Sequence, residues 1–325
     1  MMRGTLPVNA FCPRFACLCL LLWGAQSAVG TAEIKGPGDP VVVKSPDGRV
    51  AVELYTRAAT AAPSQLQYRV TLANDAVIEA SNLGVRLKDG IELGRNSEVL
   101  DSTSVRIDTS FDQFPGKRRH VIDRGTETIL TLRERGTKPR KWQLVVRAYD
   151  DGVALRYRFP KQPGWSSLEL AEERTEFAFP ADAVATMLPL ANFTTSHESR
   201  YDRWRVDAIA ANQLLALPLP VELPGSGWAV VMEANLTDYA GLYLARPDAP
   251  DSALTSRLSP HPGATDIAVR AALPHDSPWR LILVGSDARQ LLESDTVLRL
   301  NAPSTIADTS WIKPGKTTFP WWNDY

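Results

Sequence analysis

Apolar and polar side chains alternate along most of this chain beyond its first forty residues. Residues 50–54 have the sequence VAVEL and residues 66–72 have the sequence LQYRVTL, so an apolar side chain recurs at every second position. Successive side chains of a strand point to opposite faces of a sheet, whereas a helix repeats every 3.6 residues. The alternation therefore predicts strands with one buried face.

Further apolar runs predict more strands, at residues 41–43, 129–132, 144–148, 153–159, 228–232, 267–269, 281–284 and 297–300. Asp-Gly and Pro-Gly pairs between the runs mark turns. One short helix is predicted over residues 287–293, with Ser286 as its N-cap and with Leu291 and Leu292 facing inward. Residues 247–262 are rich in Pro, Ser and Asp and are expected to form a surface loop. Many short strands with few helices predict an all-β sandwich and not a βαβ sheet.

The first thirty residues follow a different pattern. Arg3 and Arg14 flank an apolar run at residues 15–23, and small residues follow from Gly24 to Gly30. This order of charged, apolar and small residues is typical of a secretory signal peptide, which we assign to residues 1–30. The run is well short of the roughly 20 residues that span a bilayer, so no membrane span is expected. We therefore expect the mature chain to be periplasmic or secreted.

Cysteine usage and charge exclude several function classes. The three cysteines lie at positions 12, 17 and 19 and would leave with the signal peptide, so thiol nucleophiles, zinc–thiolate sites and redox motifs are excluded for the mature chain. The chain has 36 basic and 37 acidic residues, a balance that gives no global field for nucleic acid. It contains neither a Gly-rich phosphate loop ending in Gly-Lys-Ser/Thr nor a Gly-x-Ser-x-Gly elbow.

An ordered series of motifs resembles the N-terminal domain of glycoside hydrolase family 97, the bacterial α-glucosidase and α-galactosidase group. The motifs are SPDG at 45–48, NLGVRL at 82–87, RAYDDGVALRY at 147–157, TEF at 175–177, EANLTDYAGLYL at 233–244, PWR at 278–280 and DTSWIKPGK at 308–316. Each motif alone is weak, but the whole set in order is specific. The resemblance covers about residues 40 to 320, nearly all of the mature chain.

The resemblance implies a large β-super-sandwich of the galactose-mutarotase type, followed in the family by a (β/α)8 catalytic barrel and a small β-domain. We accordingly expect the sandwich over residues 31–318 and the start of a truncated barrel at 319–325. The carboxylates that flank the glycosidic bond would come mostly from the barrel, so this chain alone is expected to be inactive. Both inverting and retaining action occur in the family, and the carboxylate spacing that separates them is not found in this chain.

The resemblance also points to Glu198 as a calcium ligand. The family's N-terminal domain lends one Glu to a calcium ion in the barrel's active site, and Glu198 is the best-matching position. It lies in a polar stretch, FTTSHESRY at 193–201, that lacks strand periodicity. Calcium takes six to eight oxygen ligands, so one Glu cannot form a useful site and the barrel would have to complete it. The alternative is a solvated loop carboxylate.

Other candidate residues have ordinary interpretations that we favour. The pair His197-Glu198 lacks the second histidine of a zincin, because Tyr201 occupies that position, so a local hydrogen bond is expected for His197. We expect a capping or turn role for Glu233 and Asp238, although Glu233 could instead point into a cleft between domains. A hairpin turn is expected at Asp150-Asp151, and solvation is expected for the basic residues 117–119.

Two function classes remain open from the sequence. In the first, the chain is part of an exported glycosidase for α-linked oligosaccharides, and Trp321 and Trp322 either stack on the substrate or pack in the first barrel strand. In the second, it is a stand-alone carbohydrate-binding or scaffold module without catalysis.

Overall fold

The computed structural model describes residues 29–30, 40–57, 63–113, 116–136, 139–248 and 253–318. Two short helices, α1 (Ala288–Glu293) and α2 (Thr296–Leu300), follow the last strand. The strands, in chain order, are β1 (Val29–Gly30), β2 (Val41–Lys44), β3 (Val50–Arg57), β4 (Gln65–Leu72), β5 (Asp75–Asn82), β6 (Val85–Leu87), β7 (Glu92–Leu93), β8 (Ser97–Asp112), β9 (His120–Glu134), β10 (Lys141–Tyr149), β11 (Gly152–Phe159), β12 (Ser167–Glu173), β13 (Glu176–Ala178), β14 (Val184–Met187), β15 (Pro189–Leu190), β16 (Asp202–Arg205), β17 (Leu214–Leu215), β18 (Leu219–Leu223), β19 (Gly227–Ala234), β20 (Leu242–Ala245), β21 (Ala253–Leu258), β22 (Val269–Ala272), β23 (His275–Asp276) and β24 (Trp279–Gly285).

Within these residues the strands form four antiparallel sheets. The largest has eleven strands in the order β1-β8-β9-β10-β11-β24-β19-β18-β14-β16, with β23 paired to β11. The three smaller sheets are β22-β12-β6-β7, β13-β21-β20-β17-β15 and β2-β3-β4-β5. One large cluster of buried side chains draws members from all four sheets. The smaller sheets therefore pack on one face of the large sheet, which confirms the predicted β-super-sandwich.

The alternation in the sequence corresponds to the inner and outer faces of the strands. In β3, Val50, Val52 and Leu54 are buried in the large cluster, while the residues between them are only half-buried. Strand β24 is an exception, because all seven of its residues are buried. Its Ile282 and Val284 belong to the large cluster, whereas Leu281 and Leu283 pack under the two helices on the outer face. A strand buried on both faces shows a continuous apolar run instead of alternation.

The structure corrects the predicted helical region. Residues 297–300 lie in α2 and not in a strand. The prediction failed because the periodicity of a four-residue apolar run cannot distinguish a helix from a strand. The N-cap of α1 is Asp287 and not Ser286, and its carboxylate accepts a hydrogen bond from the Arg289 amide at 2.8 Å. Leu291 packs against the outer cluster as predicted, but Leu292 is 76% exposed.

The predicted surface loop at residues 247–262 contains strand β21, so that prediction is wrong in part. The inward positions of β21 include Leu254 and Ser256, and both are buried. The Ser256 hydroxyl donates to the carbonyl of Glu173 at 2.8 Å and accepts from the amide of Thr175 at 3.0 Å. A buried hydroxyl that is fully hydrogen-bonded is stable inside a sheet, and a hydrophobic pattern does not detect it. The neighbouring strand predicted at 267–269 begins only at Val269.

Two predicted segments lie outside the described residues. These are the signal-peptide residues before Val29 and the tryptophan pair Trp321-Trp322. Strand β1 pairs with β8 through Val29 and Val105. Among the residues that the structure describes, none of the helices has the length and apolar character needed to cross a bilayer.

Candidate functional site

The loop that carries Glu198 connects β15 to β16 and has no regular secondary structure. Short-range hydrogen bonds shape it. The side-chain oxygen of Asn192 accepts from the amide and the hydroxyl of Thr194 at 2.8 and 2.9 Å, and the Thr195 hydroxyl accepts from the His197 amide at 3.3 Å. His197 has a φ of 59°, in the left-handed region. Side chains of this kind compete with strand pairing for backbone groups, which explains the missing periodicity.

Tyr243 on β20 holds the first half of this loop. The ring of Phe193 meets it edge-on at a centroid distance of 5.1 Å and an angle of 81°. The ring of His197 lies 6.0 Å from the same ring. Phe193 and Tyr243 pack against a small apolar cluster of Leu188, Leu190, Leu214 and Ala216. Glu198 therefore follows directly after two aromatic contacts that fix the position of the loop.

The side chain of Glu198 is exposed, and no described residue forms a hydrogen bond or an ion pair with it. The described ranges also contain no group of three or more His, Cys, Asp or Glu residues that could hold a metal ion. An exposed carboxylate without a partner is suited to act as one oxygen ligand of a hard cation such as calcium. The described residues thus fit one ligand of a calcium site and not a complete site.

Exposed aromatic side chains continue from this loop along the edge of the large sheet. Tyr201 is 60% exposed and Trp204 is 49% exposed. Strand β16, which carries Trp204, is the last strand of the sheet, and all four of its residues are exposed. Edge strands present unpaired backbone groups, and exposed aromatic side chains beside them mark contact surfaces. The edge next to Glu198 is therefore suited to contact with another folded unit.

Two of the ordinary interpretations are confirmed. The Nδ1 atom of His197 lies 3.2 Å from the carbonyl oxygen of Thr195, which is the expected local hydrogen bond. Asp150 and Asp151 form the two-residue turn between β10 and β11. Their carboxylates serve different partners, since Asp150 accepts from the amide of Asp47 at 3.0 Å whereas Asp151 binds the helical segment. They do not act as a catalytic pair.

The predicted solvation of the basic residues 117–119 is wrong for Lys117 and Arg118, whereas the side chain of Arg119 is exposed as expected. Lys117 donates to the carbonyl oxygens of Leu292 at 2.5 Å and Ser294 at 3.2 Å, at the end of α1. Arg118 pairs with the buried carboxylate of Asp295 at 2.8 Å. Cations are favoured at the C-terminal end of a helix, where carbonyl groups lack intrahelical partners. The two residues fasten the β8–β9 hairpin to α1.

The predicted turn role of Glu233 is only part of what this residue does: its Oε1 accepts from the amide of Leu242 at 3.3 Å, at the end of the loop that follows β19. Glu233 lies on β19, and its Oε2 accepts from Arg280 at 2.5 Å. Arg280 also binds Glu173 in bidentate fashion, at 2.8 and 2.6 Å, and both of these side chains are fully buried. Asp238, with a φ of 50°, does lie in a turn.

Sequence reasoning missed this buried cluster of Glu173, Glu233 and Arg280. Burial raises the pKa of Glu233, and the Arg280 guanidinium opposes that rise. The hydroxyl of Tyr239 lies 3.4 Å from Glu173. This contact attaches the loop after β19 to the same cluster. The feature of the sequence that could have revealed the cluster is Arg280 itself, which is a single charge inside the otherwise apolar run WRLILVG. A buried charge needs partners, and here they come from β12 and β19. The cluster joins the three strands β12, β19 and β24.

Comparison with known proteins agrees with this geometry. A family model described as glycosyl-hydrolase 97 N-terminal matches residues 43–303. A retaining α-galactosidase of Bacteroides thetaiotaomicron is 26% identical over 306 residues, which cover 86% of this chain and 44% of the relative. A probable retaining α-galactosidase of Streptomyces bingchenggensis is 29% identical over 298 residues, which cover 91% of this chain and 42% of the relative. The chain thus spans less than half the length of these curated relatives.

Solved structures agree as well. A glycoside hydrolase family 97 enzyme from Pseudoalteromonas sp. strain K8, in complex with panose, superposes with a TM-score of 0.77 at 27% identity. The superposition covers 85% of this chain and 40% of that chain. The family model covers well over half of the sequence, and the fold is the one that the resemblance implied. The chain belongs to the glycosyl-hydrolase 97 N-terminal family.

Proposed function

We propose that this chain is the N-terminal domain of an exported glycoside hydrolase that cleaves α-galactosidic or α-glucosidic bonds. The observation that carries the proposal is the match to an N-terminal family model, together with relatives more than twice as long as the matched segment. The two curated relatives described above are named a retaining α-galactosidase and a probable retaining α-galactosidase, which favours galactosides and retention of configuration. The panose complex of a family member supports oligosaccharides as the substrate class.

In this proposal the sandwich supports one wall of the active site, and the catalytic barrel contributes the acid and the nucleophile. The exposed edge at Tyr201 and Trp204, next to the Glu198 loop, is the surface on which we place the barrel. Two carboxyl groups about 5 Å apart are expected for a retaining enzyme, and both would lie in the barrel. Trp321 and Trp322, beyond the described residues, are proposed to contact the sugar or to begin the first barrel strand.

Glu198 is proposed to lend one carboxylate to a calcium ion that barrel residues help to bind. Its exposure, its lack of a partner among the described residues and its position on a loop held by Tyr243 support this role. A loop that is already held in position loses less conformational entropy when its residues bind an ion. When bound, calcium would polarise an oxygen or orient the catalytic carboxylates. The role of this chain is to hold Glu198 where the barrel can use it.

The test is hydrolysis by the native gene product, assayed with nitrophenyl α-galactoside and α-glucoside. We expect hydrolysis of at least one of them, with the α-anomer as the first product in the NMR spectrum. A chelator should abolish turnover, and added calcium should restore it. A native product that folds but hydrolyses neither substrate with calcium present would contradict the proposal, as would full activity in excess chelator.

A further inference from the structure

A small cleft lies between two of the smaller sheets, beside the Glu198 loop. Strands β12 and β21 border it, and these strands belong to different sheets. The hydroxyl of Ser256 on β21 donates to the carbonyl of Glu173 and accepts from the amide of Thr175, and these hydrogen bonds hold the two strands together at one point. The remaining gap has a volume of about 290 Å³. This is near the lower end of the range for small-molecule pockets, about 300–1,000 Å³.

One polar wall of the cleft is the carboxylate of Glu172. Its Oε2 accepts from the Nε atoms of Arg86 and Arg174 at 3.0 and 3.1 Å. Burial raises the pKa of this carboxyl, but the two arginines outweigh burial and hold the pKa below its usual value, so the group is ionised at neutral pH. No described residue donates to Oε1 of Glu172, so this oxygen can still accept a hydrogen bond.

The second polar wall is the guanidinium of Arg257 on β21. Its Nη2 donates to the side-chain oxygen of Asn212 at 3.2 Å. Within the described part of the chain, no carboxylate lies within ion-pair distance of Arg257, although most arginines of this domain are paired. An arginine has five N–H donors, so several remain for a ligand. The cleft thus offers a free acceptor and free donors.

Apolar side chains form another part of the lining. Phe193 is half-buried, lines the cleft and is held by its contact with Tyr243 at 5.1 Å. Leu258 and Ile267 lie on the same lining. A held aromatic ring beside charged hydrogen-bonding groups offers an apolar face and polar contacts at once.

These features select the class of ligand. An anion would meet the ionised carboxylate of Glu172, and a cation would meet the guanidinium groups of Arg86 and Arg257. A neutral sugar has hydroxyl groups that donate to a carboxylate and accept from a guanidinium, and its C–H face packs on an aromatic ring. We propose that this cleft binds one neutral hexopyranose unit of an oligosaccharide, with Glu172 and Arg257 on its hydroxyls and Phe193 on its face. The proposal goes beyond the hydrolase function and needs neither calcium nor Glu198.

The experiment is calorimetric titration of the 325-residue chain with maltotriose and with raffinose, in a buffer that contains a chelator. We expect saturable binding of at least one sugar. Arg257→Met should weaken it by about tenfold or more, which corresponds to about 1.4 kcal/mol. Phe193→Leu, which keeps apolar contact with Tyr243 but removes the aromatic face, should weaken it as well.

Two controls separate sugar binding from other causes. Arg106→Met, at an exposed arginine of β8, should leave the affinity unchanged. An amide NMR spectrum of each variant checks that it is folded. Absence of binding by the wild-type chain, an unchanged affinity in folded Arg257→Met, or binding of oligogalacturonate in preference to both neutral sugars would each overturn the proposal.

Discussion

Glu134, at the end of β9, is a buried carboxyl group with an unusual titration. Its Oε1 accepts from the indole nitrogen of Trp142 and from the Ser97 hydroxyl, whereas Oε2 has no partner among the described residues. Burial raises its pKa from 4.5 to about 7, against the effect of these hydrogen bonds. The folded protein therefore keeps this proton at pH values where the unfolded chain has lost it.

The sign of the pH dependence follows from that difference. Because unfolding releases a proton between about pH 4.5 and 7, the free energy of unfolding should fall as the pH rises through this interval. The fall attributable to Glu134 is about 3 kcal/mol. Glu134→Gln, which cannot ionise, should lose this slope in urea unfolding measured at pH 5, 6, 7 and 8.

Glu98→Gln is the matched control for this prediction. Glu98 lies on the paired strand β8, and its hydrogen bond from Arg133 lowers its pKa below 4.5, so it does not titrate between pH 5 and 8. The Glu98 variant should keep the wild-type slope. A Glu134→Gln variant with the same slope as the wild type would show that Glu134 does not titrate near neutral pH.

At the scale of elements, one carboxylate links the segment of α1 and α2 to the large sheet, in addition to the contacts of Lys117 and Arg118. Asp151, in the turn between β10 and β11, accepts from the hydroxyls of Ser294 at 2.7 Å and Thr296 at 2.8 Å, and from Arg299 at 3.1 Å. Such short helices are not stable alone, so their order depends on tertiary contacts. Asp151→Ala should lower the free energy of unfolding by about 2 kcal/mol. It should also reduce amide-exchange protection over residues 288–300 more than in the sheet.

Asp150→Ala tests the same turn without touching the helices. Asp150 binds the amide of Asp47, and neither residue of the turn has a positive φ, so alanine fits the backbone at both positions. The Asp150 variant should retain protection over residues 288–300. Equal loss of protection in both variants would mean that the turn, and not the Asp151 hydrogen bonds, holds the helices.

Elements with a strong local pattern could be predicted from the sequence. The strands around Val50 to Leu72 were found because burial on one face imposes a period of two. Helix α2 was missed because its five residues are held by Asp151, about 145 residues earlier in the chain. Strand β21 was missed because its buried Ser256 is satisfied by hydrogen bonds from a distant segment. In both cases the element is stabilised by contacts with residues that are distant in the sequence, and a local sequence pattern carries no information about such contacts.

At the scale of the whole molecule, the sequence led to the family but not to most of the side-chain contacts. Ordered motifs identified the domain, and the super-sandwich followed from that resemblance. The carboxylates that bind Arg280 are 107 and 47 residues away from it, so no motif could reveal the cluster. The cleft between β12 and β21 combines four separate segments, around residues 86, 172, 193 and 260, so a local pattern could not reveal it either. The role proposed for Glu198 rests on the resemblance, and its exposure is consistent with that proposal.

The most direct test of the central proposal is the calcium affinity of the native gene product. Glu198→Gln should raise the Kd for calcium by about tenfold or more, because a neutral amide oxygen replaces a charged ligand, and kcat for α-glycoside hydrolysis should fall with it. Glu79→Gln, at an exposed glutamate of β5, is the control and should change neither value. An unchanged calcium affinity in the Glu198 variant would contradict the proposal that this domain supplies a ligand to the active site.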